Sequence, residues 1–163
     1  LGYLKRGDVE LGLGASIGEE WERLDSWPLF TEDFQLVVNS AHRLAGQESV
    51  PIAELQRERL IIRNYCESTA ALLELLRSRE FDVARYHETS AESDLLALLD
   101  AGVGVALVPR STNAPTSLVR IVVSELDFSR TVYLYGVAGR QRTPVASALM
   151  KMLRAFDWSR FSA

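Results

Sequence analysis

Residues 89–111, TSAESDLLALLDAGVGVALVPRS, decide the fold because they describe a helix, a glycine and a buried strand in one run. Thr89 and Glu92 have the spacing of a capping box, in which a hydroxyl and a carboxylate bind free N–H groups at the start of a helix. A helix is therefore predicted from about Ser90. Leucines then recur at helical spacing until Gly102, which can adopt the positive φ that is common just after a helix.

A nearly continuous apolar run, VGVALV at 103–108, begins just after that glycine. Such a run predicts a strand that is covered on both faces. We expect it to end at Pro109, because proline lacks the N–H that a strand ladder requires. The order of helix, glycine and buried strand indicates an α/β fold.

Other segments extend this pattern along the chain. The polar segment 16–27 predicts a loop. Further strands are predicted at 9–14, 34–38, 60–62, 119–123 and 131–137, and helices at 51–55, from Ser68 or Thr69 to Arg79, and from Thr143-Pro144 to Phe156. Nothing before residue 9 offers a neighbouring strand, so we expect an N-terminal portion of the fold to be missing from this sequence.

Composition limits the classes of function. The chain has 163 residues, 47% hydrophobic and 25% charged, as expected for one globular domain or two small lobes. Its apolar runs are shorter than the roughly 18 residues needed to span a bilayer. The single cysteine, Cys66, excludes an intrachain disulfide, so we expect a soluble, cytoplasmic protein. A net charge of −4 predicts no nucleic-acid surface on this chain.

Four segments carry a resemblance to a known family, through their order and spacing over nearly the whole chain. They are LKRGDVEL at 4–11, PLFTEDFQLVV at 28–38, AHRLA at 41–45 and AGVGVALVP at 101–109. Together they resemble the effector-binding (substrate-binding) domain of LysR-type transcriptional regulators. The resemblance implies an α/β, two-lobed, periplasmic-binding-protein-like (type II) domain, with two crossover strands and a small-molecule effector held between the lobes.

Mapped onto this chain, the resemblance places lobe I at residues 1–36 and 128–163 and lobe II at residues 37–127. The winged helix-turn-helix, its linker helix and the first strand-helix-strand of lobe I are absent from the sequence, so lobe I is expected to be incomplete. DNA would be bound only through that missing N-terminal domain. A homo-oligomer, either dimer or tetramer, and no membrane partner are expected.

Candidate effector-binding residues follow from the position of strand ends. Ligands in open α/β sheets bind at the carboxyl ends of strands, near helix N-termini. Strand 60–62 leads into a loop with Arg63, Asn64, Ser68 and Thr69, which are suited to hold a carboxylate or another anionic group. The alternative is structural: Ser68 or Thr69 caps its helix, and Arg63 pairs with a surface acid.

Four weaker candidates lie outside this loop. Ala15 and Ser16 follow the first strand, where a ligand or a loop can approach closely, although a tight turn explains them as well. Glu92 would meet an amine or a hydroxyl on a ligand, unless it serves only the capping box. Tyr135 offers a ring and a hydroxyl, but strands use aromatic residues for packing too.

Catalysis and cofactors are not predicted. Cys66, His87 and Asp94 are residue types of a nucleophile, a base and an orienting acid, but their spacing matches no catalytic signature. Two histidines and one cysteine, far apart, do not have metal-ligand spacing. The glycine pairs at 12 and 14 and at 102 and 104 lack the third glycine of a nucleotide loop.

The function predicted from these observations is effector sensing that biases attached DNA-binding domains. A periplasmic solute-binding protein of the same fold is the alternative. A third possibility is a chain that binds no effector and serves only in subunit contacts.

Overall fold

The structure is a computed structural model that describes residues 1–15, 21–82 and 86–161. It contains eight strands among these residues: β1 (Leu11–Gly14), β2 (Leu24–Asn39), β3 (Ser49–Pro51), β4 (Ile61–Arg63), β5 (His87–Thr89), β6 (Ala106–Pro109), β7 (Leu118–Ser124) and β8 (Ser129–Val137). The α-helices in the described part are α1 (Gly2–Arg6), α2 (Thr69–Ser78), α3 (Glu92–Asp100) and α4 (Pro144–Ala155), with 3₁₀ turns at Ile52–Arg57 and Ser159–Phe161.

The chain divides into two compact units. Unit 1 comprises Leu1–Glu32 and Arg130–Ala163, and unit 2 comprises Asp33–Ser129. The chain therefore passes between them along β2 and again at the start of β8. The identification of these units with effector-binding lobes stays a prediction.

Unit 1 is built on the strand order β1-β8-β2, with β1 antiparallel to β8. Its buried centre includes Leu4 of α1 and two residues of β8, Tyr135 and Val137. Gly7, at φ 87°, ends α1 in the left-handed conformation that a glycine adopts without strain.

Unit 2 has β2 at the centre of a sheet in the order β6-β2-β7-β3, with β2 antiparallel to both β6 and β7. Successive side chains of β2 point to opposite faces. Phe34, Leu36 and Val38 therefore enter one core cluster, while Val37 enters another beneath α3. Because both faces are covered at this point, β2 is apolar and buried at the consecutive positions 36–38 rather than at alternate ones.

The buried strand predicted at 103–108 is confirmed as β6, in which all four residues are buried. It begins later than expected, at Ala106, and Pro109 is its last residue, paired with Phe34. Gly102 has φ 68° and follows the end of α3, as predicted.

The predicted capping box is wrong. Thr89 ends β5, where it is buried and pairs with Arg63 of β4. The N-cap position of α3 is Ala91, so the helix begins at Glu92 rather than at Ser90. The parallel pairing of β5 with β4 uses Thr89, and Ala91 takes the extended N-cap position two residues later, so the local spacing of Thr89 and Glu92 does not set the helix start.

Other boundaries differ from the sequence analysis as well. The predicted loop at 16–27 is wrong at its end, because β2 already begins at Leu24. The predicted strand at 9–14 begins at Leu11, and the helix predicted at 51–55 is a 3₁₀ turn. Short strands β3 and β5 were not predicted, since three residues carry no measurable periodicity.

Candidate functional site

The carboxyl ends of β4 and β5 form one edge of unit 2, where the candidate site lies. The two strands are parallel, with Ile61 opposite His87 and Arg63 opposite Thr89. Helix α2 begins at Thr69 and helix α3 at Glu92, shortly after these strands end. The loops after both strands therefore meet near two helix starts, where free N–H groups favour an anion.

Arg63 is the buried cation of this edge. It is 6% exposed, and its Nη2 donates a hydrogen bond to Cys66 Sγ at 3.3 Å. Its guanidinium carbon lies 5.9 Å from the ring centroids of both Phe34 and Tyr65. Within residues 1–15, 21–82 and 86–161, Arg63 forms no ion pair with a carboxylate. The structural alternative, in which Arg63 pairs with a surface acid, is therefore not observed among the described residues, and Arg63 is well placed to take an anionic partner.

Tyr65 connects this buried cation to Glu92. The Tyr65 hydroxyl donates to Glu92 Oε2 at 2.9 Å. Burial of the ring, with this hydrogen bond as the second cause, raises the pKa of Tyr65 to about 12. The phenol therefore stays a neutral donor, and the carboxylate of Glu92 accepts from Tyr65 instead of forming the predicted capping box.

Asn64 and Thr69 hold the shape of the loop. Asn64 Nδ2 donates to Glu88 Oε2 at 2.7 Å, and its backbone N–H donates to the Thr89 carbonyl at 3.0 Å. Thr69 Oγ1 donates to the Arg63 carbonyl at 2.5 Å. These bonds tie the loop to the end of β5 and to the start of α2, which orients Arg63.

Ser68 occupies the N-cap position of α2, but its side chain makes no capping bond to the residues that the structure describes. The prediction that the hydroxyl of Ser68 or Thr69 caps α2 is thus wrong. The Thr69 hydroxyl donates to the backbone carbonyl of Arg63 instead. The Ser68 hydroxyl lies near the first N–H groups of the helix and makes no capping bond to them.

The unit 1 candidates form a separate group. The Tyr135 hydroxyl donates to the Ala15 carbonyl at 2.9 Å, and both residues are buried. Tyr135 therefore anchors the end of β1 as well as filling the core of unit 1. Ser16 lies outside the described residues.

Sequence reasoning missed three contributors to the site. Tyr65 and Cys66 lie between Asn64 and Ser68 in the loop predicted after strand 60–62, and their contacts with Arg63 could have been proposed from that proximity alone. Phe34 is far from Arg63 in sequence and reaches it only because β2 is central to unit 2. No pattern in the residues around Phe34 predicts its contact with Arg63.

The described residues offer neither a metal site nor a membrane-spanning helix. No group of three or more His, Cys, Asp or Glu side chains in the described ranges could hold a metal ion. No helix within those ranges is both long enough and apolar enough to span a bilayer.

Comparison with known proteins places these features in context. The family model described as LysR substrate binding domain matches residues 1–157. The probable HTH-type transcriptional regulator LrrA of Synechococcus elongatus is 25% identical over 112 residues, which are 69% of this chain and 37% of that protein. The chain spans less than half the length of the curated relatives it matches.

Two solved structures share the fold at low sequence identity. The CcmR regulatory domain of Synechocystis, solved in complex with 2-PG, aligns with a TM-score of 0.77 and 19% identity, over 94% of this chain and 76% of that one. The effector-binding domain of QuiR, solved in complex with shikimate, aligns with a TM-score of 0.80 and 14% identity, over 98% of this chain and 77% of that one.

Proposed function

The chain belongs to the LysR substrate-binding domain family, and from this premise we propose that it senses a small anionic effector for a LysR-type transcriptional regulator. The predicted fold class, an α/β domain of the type II periplasmic-binding-protein kind, is confirmed by the family match and the structural likenesses. The alternative of a solute-binding protein is not favoured, because the matching family model and the curated relatives are those of regulators.

The observation that carries the proposal is the buried guanidinium of Arg63 without a carboxylate partner among the described residues. A carboxylate or phosphate of the effector would accept two parallel hydrogen bonds from Arg63. The Ser68 hydroxyl and the first N–H groups of α2 would donate to the same anion. Glu92 and Tyr65 would then face polar groups elsewhere on the effector.

The regulatory step in this proposal is a shift between two arrangements of the longer protein. An effector moves such an equilibrium only if it binds one arrangement more tightly. A difference of about 1–3 kcal/mol changes an affinity by about 5- to 150-fold. In this proposal, a domain outside this chain contacts DNA, and the protein acts in the cytoplasm. The chain itself catalyses no reaction.

Self-association is part of the proposal, and helix α4 supports it. Val145, Leu149, Met152 and Phe156 are exposed and recur at spacings of four and three residues, so they share one face. We expect light scattering to report a dimer or a tetramer, and Met152→Glu to lower the mass. Lys151→Glu, one position away, is the matched control and should leave the mass unchanged. An unchanged mass in Met152→Glu would show that this face of α4 does not form the interface.

The proposed function is tested by thermal unfolding against a panel of small anions that includes 2-PG, shikimate and benzoate. A ligand at one hundred times its Kd stabilises the folded state by about 2.7 kcal/mol. For a chain of this size, each kcal/mol moves Tm by about 2–4 °C. The same panel is then applied to Arg63→Gln, and to Arg79→Gln as a control that removes an exposed arginine of unit 2.

A stabilising anion whose effect is lost in Arg63→Gln and kept in Arg79→Gln would support the proposal. Equal stabilisation of Arg63→Gln and Arg79→Gln by the anion would show that Arg63 does not bind the effector. If no anion stabilised a chain that unfolds cooperatively, the role limited to subunit contacts would replace effector sensing.

A further inference from the structure

Charges of both signs border the loops that follow β4 and β5. Residues 63–68 and 88–92 contain one cationic side chain, that of Arg63, and three glutamates. These loops therefore carry more negative than positive charge around a single buried cation. A ligand that brings only negative charge is repelled by this surplus, whereas a ligand with charges of both signs is attracted at both ends.

Arg63 and Glu92 both act on the side chain of Tyr65. Glu92 Oε2 accepts a hydrogen bond from the Tyr65 hydroxyl at 2.9 Å, and the Arg63 guanidinium carbon lies 5.9 Å from the centroid of the Tyr65 ring. Burial is the largest cause of the raised pKa of Tyr65; the hydrogen bond to Glu92 raises it further, and Arg63 lowers it. A cation and a carboxylate are therefore neighbours of one phenol group.

These two opposite charges do not neutralise each other. In the described part of the chain, Arg63 contacts a thiol and two aromatic rings, and Glu92 contacts the Tyr65 hydroxyl through one oxygen. Glu92 Oε1 accepts no hydrogen bond from the described residues. The edge of unit 2 thus presents a guanidinium that is 6% exposed and, nearby, an exposed carboxylate with an unused oxygen.

We propose that the effector of this site is an α-amino acid, whose carboxylate binds Arg63 and whose ammonium group binds Glu92. The inference rests on the proposed function, since it keeps an anionic group at Arg63 and adds a second charged group to the same effector. Both charged groups of an α-amino acid are attached to one carbon atom, which suits a cation and a carboxylate that are neighbours of one phenol. The Tyr65 ring, 39% exposed, offers an apolar surface to the amino-acid side chain.

A purely structural role for Glu92 is the competing explanation, in which its carboxylate only fixes Tyr65. A glutamine at position 92 also has an oxygen that can accept from the Tyr65 hydroxyl, but it lacks the negative charge. Glu92→Gln therefore separates the binding of an ammonium group, which needs the charge, from the support of Tyr65, which does not.

The test is isothermal titration calorimetry with three matched sets of probes, each an L-amino acid, the acid that lacks its amino group and the amine that lacks its carboxylate. The sets are 2-aminobutanoate with butanoate and propylamine, leucine with 4-methylpentanoate and 3-methylbutylamine, and phenylalanine with 3-phenylpropanoate and 2-phenylethylamine. We expect at least one amino acid to bind about tenfold more tightly than its matched acid, which leaves Glu92 without a cationic partner. The matched amine should bind more weakly as well, because it leaves Arg63 unpaired.

Glu92→Gln should weaken binding of that amino acid by about tenfold without weakening binding of the matched acid. Asp94→Asn is the matched control, because it removes one negative charge from the same first turn of α3. It should change both affinities by less than about twofold, since an exposed charge that does not contact the ligand is screened. Cooperative thermal unfolding of each variant shows that it is folded.

Three results would each overturn the inference: no amino acid in the sets binds, each amino acid binds with the same affinity as its matched acid, or Glu92→Gln leaves the preference between them unchanged. Equal affinities that are both lost in Arg63→Gln would support anion sensing at Arg63 and exclude the amino-acid class. Binding of an acid or an amino acid that persists unchanged in Arg63→Gln would contradict the proposed function itself.

Discussion

Arg63 illustrates at the residue scale how burial gives a side chain its chemistry. Among the residues that the structure describes, its guanidinium contacts a thiol and two aromatic rings and pairs with no acid. A charge removed from water is costly unless it is paired, so an incoming anion gains more here than at an exposed arginine. Lysine would not replace it well, because a single ammonium lacks the planar fork that binds a carboxylate through two bonds.

Tyr65 provides a pH-dependent signature of the same edge. Its folded-state pKa of about 12 lies above the value of 10.0 for an exposed tyrosine. The stability that it contributes is therefore complete below pH 10.0 and is lost as the pH rises towards 12. We expect Tyr65→Phe to reduce the loss of stability across this window, as measured by urea unfolding at several pH values.

Glu92→Gln separates the two causes of the raised pKa. Because the hydrogen bond to Glu92 is the second cause after burial, the variant should lower the pKa of Tyr65 without returning it to 10.0. Titration of the tyrosine ring carbons by NMR would report this shift. Asp94→Asn, in the same first turn of α3, is the control; a pKa that moved equally in both variants would contradict a specific bond.

Gly104 is required by a close backbone contact rather than by a positive φ. A Cβ added there would lie 2.4 Å from the Arg59 carbonyl oxygen. Gly104→Ala should destabilise the chain by about 1–3 kcal/mol, the range for forcing extra atoms into a packed site. Gly46→Ala, where a Cβ meets nothing within 4 Å, should change stability little, and equal urea midpoints for the two variants would contradict the contact.

At the level of secondary-structure elements, the helix starts show where side-chain caps can be predicted from the local sequence and where they cannot. Thr143 caps α4 as predicted, accepting from the Ala146 N–H at 3.2 Å. Glu10 accepts from both the N–H and the hydroxyl of Thr143, and these bonds lower the pKa of Glu10. At α2 and α3 the predicted caps fail, because Thr69 bonds to Arg63 and Thr89 belongs to a strand.

A pair of alanine variants tests this difference. Thr143→Ala should cost about 0.5–2 kcal/mol of stability, as is usual when a side-chain cap is lost. Ser68→Ala should cost less, because the Ser68 side chain makes no capping bond among the described residues. Chemical unfolding of both variants measures the difference, and a larger loss for Ser68→Ala would reverse the assignment.

At the scale of the whole molecule, the chain passes between its compact units at residues 32–33 and 129–130. Glu32 and Arg130, on the unit 1 side of these positions, form an ion pair of 2.9 Å between Oε1 and Nε. Glu32 is 0% exposed. The pair therefore joins β2 and β8 where both strands enter unit 1, and a buried pair is costly to break.

Arg130→Met should destabilise the protein by about 3–5 kcal/mol, because it removes the guanidinium from a buried carboxylate. Combining it with Glu32→Gln should cost less than the sum of the two single changes, since the second change removes the carboxylate that Arg130 binds. Thermal unfolding of the four proteins gives the coupling energy. Additive losses would show that the two side chains act independently.

The sequence by itself determined the α/β class, the main helices, the buried strand β6 and the loop that holds Arg63. These features depend on neighbouring residues along the chain: apolar periodicity, Gly102 after α3, Thr143-Pro144 before α4. The family followed from several such segments in order. The start of α3 at Glu92 was not predictable, because a pairing with β4 takes Thr89 into a strand.

Only the tertiary structure decided what surrounds each side chain. Phe34 reaches Arg63 because β2 is central to unit 2, and Tyr65 reaches Glu92 because β4 and β5 pair in parallel. Contacts between residues so far apart in sequence depend on how strands pair, and local propensity does not encode that pairing. Burial follows from the same packing, so the fold settled the burial of Arg63 and the raised pKa of Tyr65.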